Sequence, residues 1–179
     1  MKEFVVKILK TKAGYYARLR RVIKISVNGE EIEYYRESCR TLFRYKNFII
    51  KFDRGRTYKN RFITHDPADA QCLTEAELWE TIKRKDRPFF AGILGSGQIY
   101  RNHRYYDYII QYYIHNEGPT RLQLKRHPQK ESFYKIIQKY GIEDVHSRRN
   151  IRVLRNRLKI VDFGMTTVNG AAWDLVNEE

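Results

Sequence analysis

The stretch richest in side chains able to do chemistry is residues 142–164, IEDVHSRRNIRVLRNRLKIVDFG. Asp144, Asn150 and Asp162 fall around two short runs, Ile151 to Leu154 and Leu158 to Val161, which read as a hairpin about the turn Arg155-Asn156-Arg157. If the two runs pair, two of these three groups become neighbours in space. Asn and Asp offer hard oxygen donors, which suit Mg²⁺. Asp144 lies on a loop after a predicted helix, where a carboxylate can serve as a base or orient a substrate. His146, in the same loop, reads as a residue that orders the loop by hydrogen bonding. Gly92-Ile93-Leu94-Gly95-Ser96-Gly97 has glycines at a phosphate-loop spacing. No helix pattern opens after it and no Gly-Lys-Ser/Thr follows, so it reads as a turn that ends a strand.

The elements that must carry these groups are mostly strands at first. Phe4 to Leu9, Val22 to Val27 and Ile32 to Tyr35 are rich in β-branched and aromatic residues, and Asn28-Gly29 marks a hairpin between the last two. Thr41 to Tyr45 and Phe48 to Phe52 follow, joined by a tight turn at Lys46-Asn47. A helix is expected from Pro67 to about Lys85, capped by Asp66. Thr74 with Glu77 offers a later start as a capping box, but that would leave Pro67 in a structureless stretch. Residues 89–94 and 106–114 read as strands, joined by a basic, glycine-containing connection from Gly95 to Arg104. Residues 115–130 read as irregular and polar. A second helix is expected over Glu131 to Tyr140, with Phe133, Ile136, Ile137 and Tyr140 in one stripe and Gly141 as its stop.

Composition narrows the class. The 179 residues hold 35 Lys and Arg against 21 Asp and Glu, a net charge of +14, which favours anionic partners. The longest strongly apolar run, Phe89 to Leu94, is too short to span a bilayer, so no membrane partner is expected. The first residues, MKEFVVKILKTK, are too charged for a signal peptide. Two cysteines, Cys39 and Cys72, make neither a disulfide framework nor a four-cysteine zinc site. A reducing, cytoplasmic location is therefore expected. Charge is uneven along the chain: residues 1–30 hold eight Lys and Arg against two Glu, whereas residues 165–179 hold three acids and no Lys or Arg. The acidic segment is suited to lie on the basic body or on a second copy.

With these motifs in place, the sequence resembles the protein-kinase superfamily, in particular small atypical kinases of the phage type and the aminoglycoside phosphotransferases. Val161-Asp162-Phe163-Gly164 is similar to the DFG motif, and Asp144 to Asn150 to the catalytic loop. Ile49-Ile50-Lys51 stands where the family carries its nucleotide lysine. The resemblance implies ATP and Mg²⁺ as cofactors. It implies Asp144 on the acceptor hydroxyl, Asn150 and Asp162 on the metal, and Lys51 on the phosphates, fixed by Glu75. Glu75 has Leu78, Trp79 and Ile82 behind it; Glu77 is the alternative partner. Ile110 would be the gatekeeper, and the backbone of Gln111 to Tyr113 would meet adenine.

The sequence also departs from the family. Arg36 to Thr41, where a glycine-rich loop belongs, holds no glycine, so Ser38 and Arg40 would have to help hold the phosphates. Asp144 to Asn150 is a step of six residues where the family has five. Residues 165–179 hold no APE-like segment. The resemblance thus implies a minimal two-lobed α+β domain over residues 1–179. Residues 1–30 add N-terminal strands, 31–114 are N-lobe-like, and 115–179 form a truncated C-terminal lobe. Its function would be Mg-ATP-dependent phosphoryl transfer to a protein hydroxyl, Ser or Thr, on a substrate that Arg148 and Arg149 would suit if acidic. A second copy or a partner would complete the short lobe. Two rivals stand beside this reading: a pseudokinase that binds without turnover, and a basic nucleic-acid-binding protein whose tyrosine-rich strands stack bases. No RNP-like, zinc-finger or helix-turn-helix pattern supports the second.

Overall fold

In the computed structural model the described residues are 23–27, 29–36, 40–53, 56–57, 71–101, 103–115, 118–143, 145 and 150–164. The expected strand Phe4 to Leu9, the Asp66 cap, Ser38, Cys39, Asp144, His146, Arg148, Arg149 and residues 165–179 lie outside them. The chain is a mixed α+β protein that divides into two compact units, residues 1–73 with 93–113, and residues 74–92 with 114–179.

The first unit is an antiparallel sheet of seven strands: β1 (Ile23–Val27), β2 (Glu30–Arg36), β3 (Arg40–Tyr45), β4 (Phe48–Asp53), β5 (Arg56–Thr57), β6 (Ile93–Arg101) and β7 (Arg104–Tyr112). β1 to β4 pair in sequence order, and β4 then pairs with β7. β5 and β6 also pair with β7. The tight turns fall where the sequence places them: Gly29 has φ 79° and Lys46 φ 53°, both in the left-handed region that two-residue hairpin turns require. The period of two sorts the side chains by face. Phe43, Ile50 and Ile110 stand in line across β3, β4 and β7, and with Phe52, Tyr108 and Ile99 they form the apolar core.

The second unit takes most of α1 (Gln71–Thr81), a short 3-10 turn (Arg87–Phe89), α2 (Arg121–Arg126), α3 (Lys130–Lys139) and the hairpin β8 (Ile151–Leu154) and β9 (Arg157–Ile160). Phe133, Ile136 and Ile137 of α3 are buried on one face, as the stripe predicts, and Gly141 at φ 57° ends that helix. Asp86 is buried; its Oδ2 accepts from Lys139 Nζ and from Tyr140 Oη, the latter at 2.8 Å. Tyr140 Oη in turn accepts from the Lys83 N–H at 3.1 Å. Those two donors hold the Asp86 carboxyl below the usual carboxylate range, against the opposing effect of burial.

Four expectations are corrected. The connection Gly95 to Arg104 is β6 with the start of β7, not a loop, and residues 89–94 are mostly not strand. Gly97 has a reason within the strand. A Cβ on Gly97 would stand 2.8 Å from Tyr108 Oη, so only glycine lets the tyrosine lie flat beside it. α1 has formed by Gln71 and ends at Thr81, short of Lys85. Thr74 and Glu77 are therefore interior and form no capping box. Residues 115–130 hold α2, started by a capping box in which Thr120 Oγ1 accepts from the Gln123 N–H and Gln123 Oε1 from the Thr120 N–H. The β8–β9 turn is Arg155-Asn156 alone, both at positive φ, and Arg157 belongs to β9.

Candidate functional site

In the first unit the face of the sheet opposite the apolar core is buried yet polar. Lys51, at 4% exposure, lies on it between Leu42 of β3 and Ile109 of β7. Arg40 stands directly opposite Asp53 across β3 and β4, and both are buried. Asp107 and Gln111 of β7 share this face and are buried too; Asp107 Oδ1 accepts from Gln98 Nε2 at 2.8 Å. Burying charge demands partners, so this face is organised around polar contacts rather than packing alone. Asp53 serves a second element. Its Oδ2 accepts the Cys72 N–H in the first turn of α1 at 2.8 Å, capping from 19 residues upstream.

Sequence reading named Lys51, Arg40 and Gln111 but missed Asp53 and Asp107. A signal for Asp53 was present: in Phe48-Ile49-Ile50-Lys51-Phe52-Asp53 the two charges are two apart, hence on one face. Tyr113 follows β7, and its N–H donates to the Asn47 carbonyl at 2.8 Å. Its ring also takes the Arg44 guanidinium at 4.4 Å, and Arg44 is paired with Glu33 at 3.0 Å.

In the second unit the β8–β9 hairpin does the positioning. Its register pairs Ile151 with Ile160, and the next rung is the Val161 N–H donating to the Asn150 carbonyl at 2.9 Å. Asn150 and Asp162 are thereby held at the open end of the hairpin, both half-buried. Phe163 is fully buried and meets Phe90 edge-on at 5.2 Å. Ala91 donates to the Ile160 carbonyl at 2.8 Å, and Lys159 Nζ to the Pro88 carbonyl. Burial, with Arg157 beside it, lowers the Lys159 pKa. The Leu158 N–H donates to Gln129 Oε1 at 3.0 Å. The hairpin is thus tied down along β9, and the segment Val161 to Gly164 is fixed with it.

A neutral and an anionic oxygen donor at one hairpin end fit Mg²⁺ that keeps several waters. Among the described residues no group of three or more His, Cys, Asp and Glu gathers as a dedicated metal cage would need. Glu75 is fully buried in α1, and Glu77 is exposed. No helix among the described residues is long and apolar enough to cross a membrane.

No family model and no curated protein matches the chain. Solved structures do, WbdD among them. The crystal structure of WbdD at 2.2 Å matches with a TM-score of 0.51 and 14% identity, over 80% of this chain and 36% of WbdD. A co-crystal structure of WbdD with the kinase inhibitor LY294002 matches with a TM-score of 0.46 and 14% identity, over 79% of this chain and 34% of that one. The chain spans about a third of the length of the WbdD chains it matches. At this identity the likeness is one of fold alone.

Proposed function

We propose that the chain is a minimal kinase that transfers the terminal phosphoryl group of ATP to a protein hydroxyl, that of Ser or Thr. One observation carries the reading. Asn150 and Asp162 are brought to one end of a two-stranded hairpin by the Val161 to Asn150 backbone bond, with Phe163 anchored on Phe90. Fold likeness to WbdD over most of the chain supports it. In this reading residues 31–114 would be the N-lobe-like part and 115–179 the reduced C-lobe-like part, although residues 74–92 fall in the second compact unit.

Catalysis of this kind rests on positioning and on neutralising charge. Asn150 and Asp162 would hold Mg²⁺, which when bound neutralises phosphate charge. Lys51 would hold the phosphates, with Glu75 as its partner; Arg40 and Ser38 would assist. Asp144 would orient or deprotonate the acceptor hydroxyl, and the backbone of Gln111 to Tyr113 would border the base. Purified protein incubated with radiolabelled ATP and a protein lysate tests the reading. Label transfer that disappears in Asp162→Ala supports it, and equal transfer by both overturns it.

A binding role without turnover is favoured by a separate observation. The Tyr113 N–H is already given to Asn47, and no glycine stands between Arg36 and Thr41. The same protein would then bind nucleotide, or none, and transfer no label.

A further inference from the structure

Asp53 is a buried carboxylate to which the phosphotransfer reading gives no task. It stands two residues after Lys51 in β4, about 6.6 Å along the strand and on the same face, and both residues are buried. Its Oδ2 accepts the Cys72 N–H at 2.8 Å, and Cys72 is the second residue of α1. The first turn of a helix has backbone donors with no partner in the helix, and it carries positive partial charge, so an anion there is stabilising. α1 has no acid of its own in that turn. The negative charge comes instead from the strand that carries the lysine. Glu75 lies three residues on from Cys72, and Leu78 three further. This spacing puts all three on one helix face, and all three are buried.

We propose that Asp53 is a positioning residue for phosphoryl transfer: by holding the first turn of α1 to β4, it presents Glu75 to Lys51. The inference rests on the phosphotransfer reading, in which Glu75 fixes Lys51 on the phosphates. In this role Asp53 touches neither nucleotide nor acceptor. One strand face carries both the lysine and the anchor of the helix, so the two are set by the same backbone. A helix that slipped by one residue would swing its side chains through about 100°. That would carry Glu75 off the face it shares with Cys72 and Leu78. The Asp53 carboxylate opposes the slip because it is matched to one N–H. A hydrogen bond to an ionised acceptor is roughly twice as strong as a neutral one, and burial keeps water from competing for the donor. Arg40, buried opposite Asp53 across β3 and β4, puts a positive charge on the same face.

Kinetics of the full chain test it, with radiolabelled ATP varied over a fixed amount of protein lysate. Asp53→Ala should raise KM for ATP and lower the maximal rate. Together these should cost on the order of tenfold to a hundredfold in kcat/KM, the size of loss that a small misplacement brings. Glu75→Gln should show the same two changes. In the Glu75→Gln background Asp53→Ala should cost no further activity, while chemical denaturation finds the same loss of stability in both backgrounds. Asp53→Asn keeps an oxygen for the Cys72 N–H without the charge, so its losses should be smaller and should vanish in the same background. Where Asp53→Ala does not fold, Asp53→Asn carries the same comparison. A purely structural role would lower the maximal rate through the amount of folded protein and leave KM for ATP unmoved, and that result overturns the inference. So does a loss as large beside Glu75→Gln as in wild type, which would route the effect through Arg40. In both cases wild type still transfers label and the phosphotransfer reading stands. No transfer by wild type overturns that reading and this inference with it.

Discussion

Phe163 meets Phe90 edge-on, with ring centroids 5.2 Å apart and planes at 78°. Phe90 also meets Tyr140 at 6.0 Å, and its backbone bridges to Ile160. Phe163 is therefore the plug that holds the segment carrying Asp162. Phe163→Ala should cost about 3–5 kcal/mol, as truncations of buried phenylalanine do. Chemical denaturation checks it. Phe163→Leu should cost less, since most of the volume is kept.

Asp162, one residue earlier, is half-buried and should behave in the opposite way. Asp162→Ala should leave the fold intact. If the hairpin end holds Mg²⁺ with ATP, wild type should melt higher in Mg-ATP than in ATP alone. Ligand at a hundred times its dissociation constant adds about 2.7 kcal/mol. Asp162→Ala should lose that Mg²⁺ dependence. A melting temperature in wild type that ignores millimolar Mg-ATP would remove the ATP site.

Asp86 sets an acid limit on the second unit. Lys139 and then Tyr140 depress its folded pKa by hydrogen bonding. A depressed carboxyl contributes stability above its unfolded pKa and loses it as pH falls through the folded one. Asp86→Asn should therefore be less stable than wild type at pH 7, and the gap should close as pH falls below about 4. Tyr140→Phe, which removes a donor to Asp86 and the acceptor for Lys83, should cost about 1–3 kcal/mol. Melting curves across pH measure both. A gap that widened in acid would contradict the sign.

Such relationships explain what could be read from the sequence and what could not. Local signals carried well. Gly29, Lys46-Asn47 and the Phe133, Ile136, Ile137 stripe stand where the sequence placed turns and a helix face. The hairpin that gathers Asn150 and Asp162 was legible because both strands and the turn are contiguous. β6 was not legible, because Gly95, Ser96 and Gly97 read as turn chemistry; for Gly97 the cause is Tyr108, on the neighbouring strand. α2 was hidden because its Thr120 and Gln123 box sits among polar residues between two prolines. Asp53 on Cys72, and Asp86 between Lys139 and Tyr140, join residues far apart in the chain, and no local pattern announces them.

Gly97 gives a sharp test of that reading of β6. An added Cβ would lie 2.8 to 3.0 Å from three atoms of the Tyr108 ring, which is buried and packed 5.9 Å from Phe52. The ring has little room to move, so Gly97→Ala should cost about 1–3 kcal/mol by overpacking. Because the hydroxyl is the atom met most closely, Gly97→Ala with Tyr108→Phe should lose less than the two changes summed. Additive losses in denaturation would show that the ring is not the obstacle.

The charged residues of the proposed phosphate site make the last prediction. Lys51 is buried on the polar face of the sheet, with apolar neighbours at its register positions on both sides. Methionine keeps most of its stem and removes only the ammonium, so Lys51→Met should abolish label transfer while a cooperative melt survives. Of the two candidate glutamates in α1, Glu75 is fully buried and Glu77 exposed. Glu75→Gln should therefore depress transfer strongly. Glu77→Gln should change stability by no more than about 0.5 kcal/mol, as exposed substitutions usually do, and leave transfer alone. If Lys51 and Glu75 act as one unit, the double variant should lose less activity than the two single losses multiplied together. Losses that multiply fully would separate the two roles. A Glu77→Gln loss exceeding that of Glu75→Gln would move the lysine's partner along the helix to the exposed glutamate.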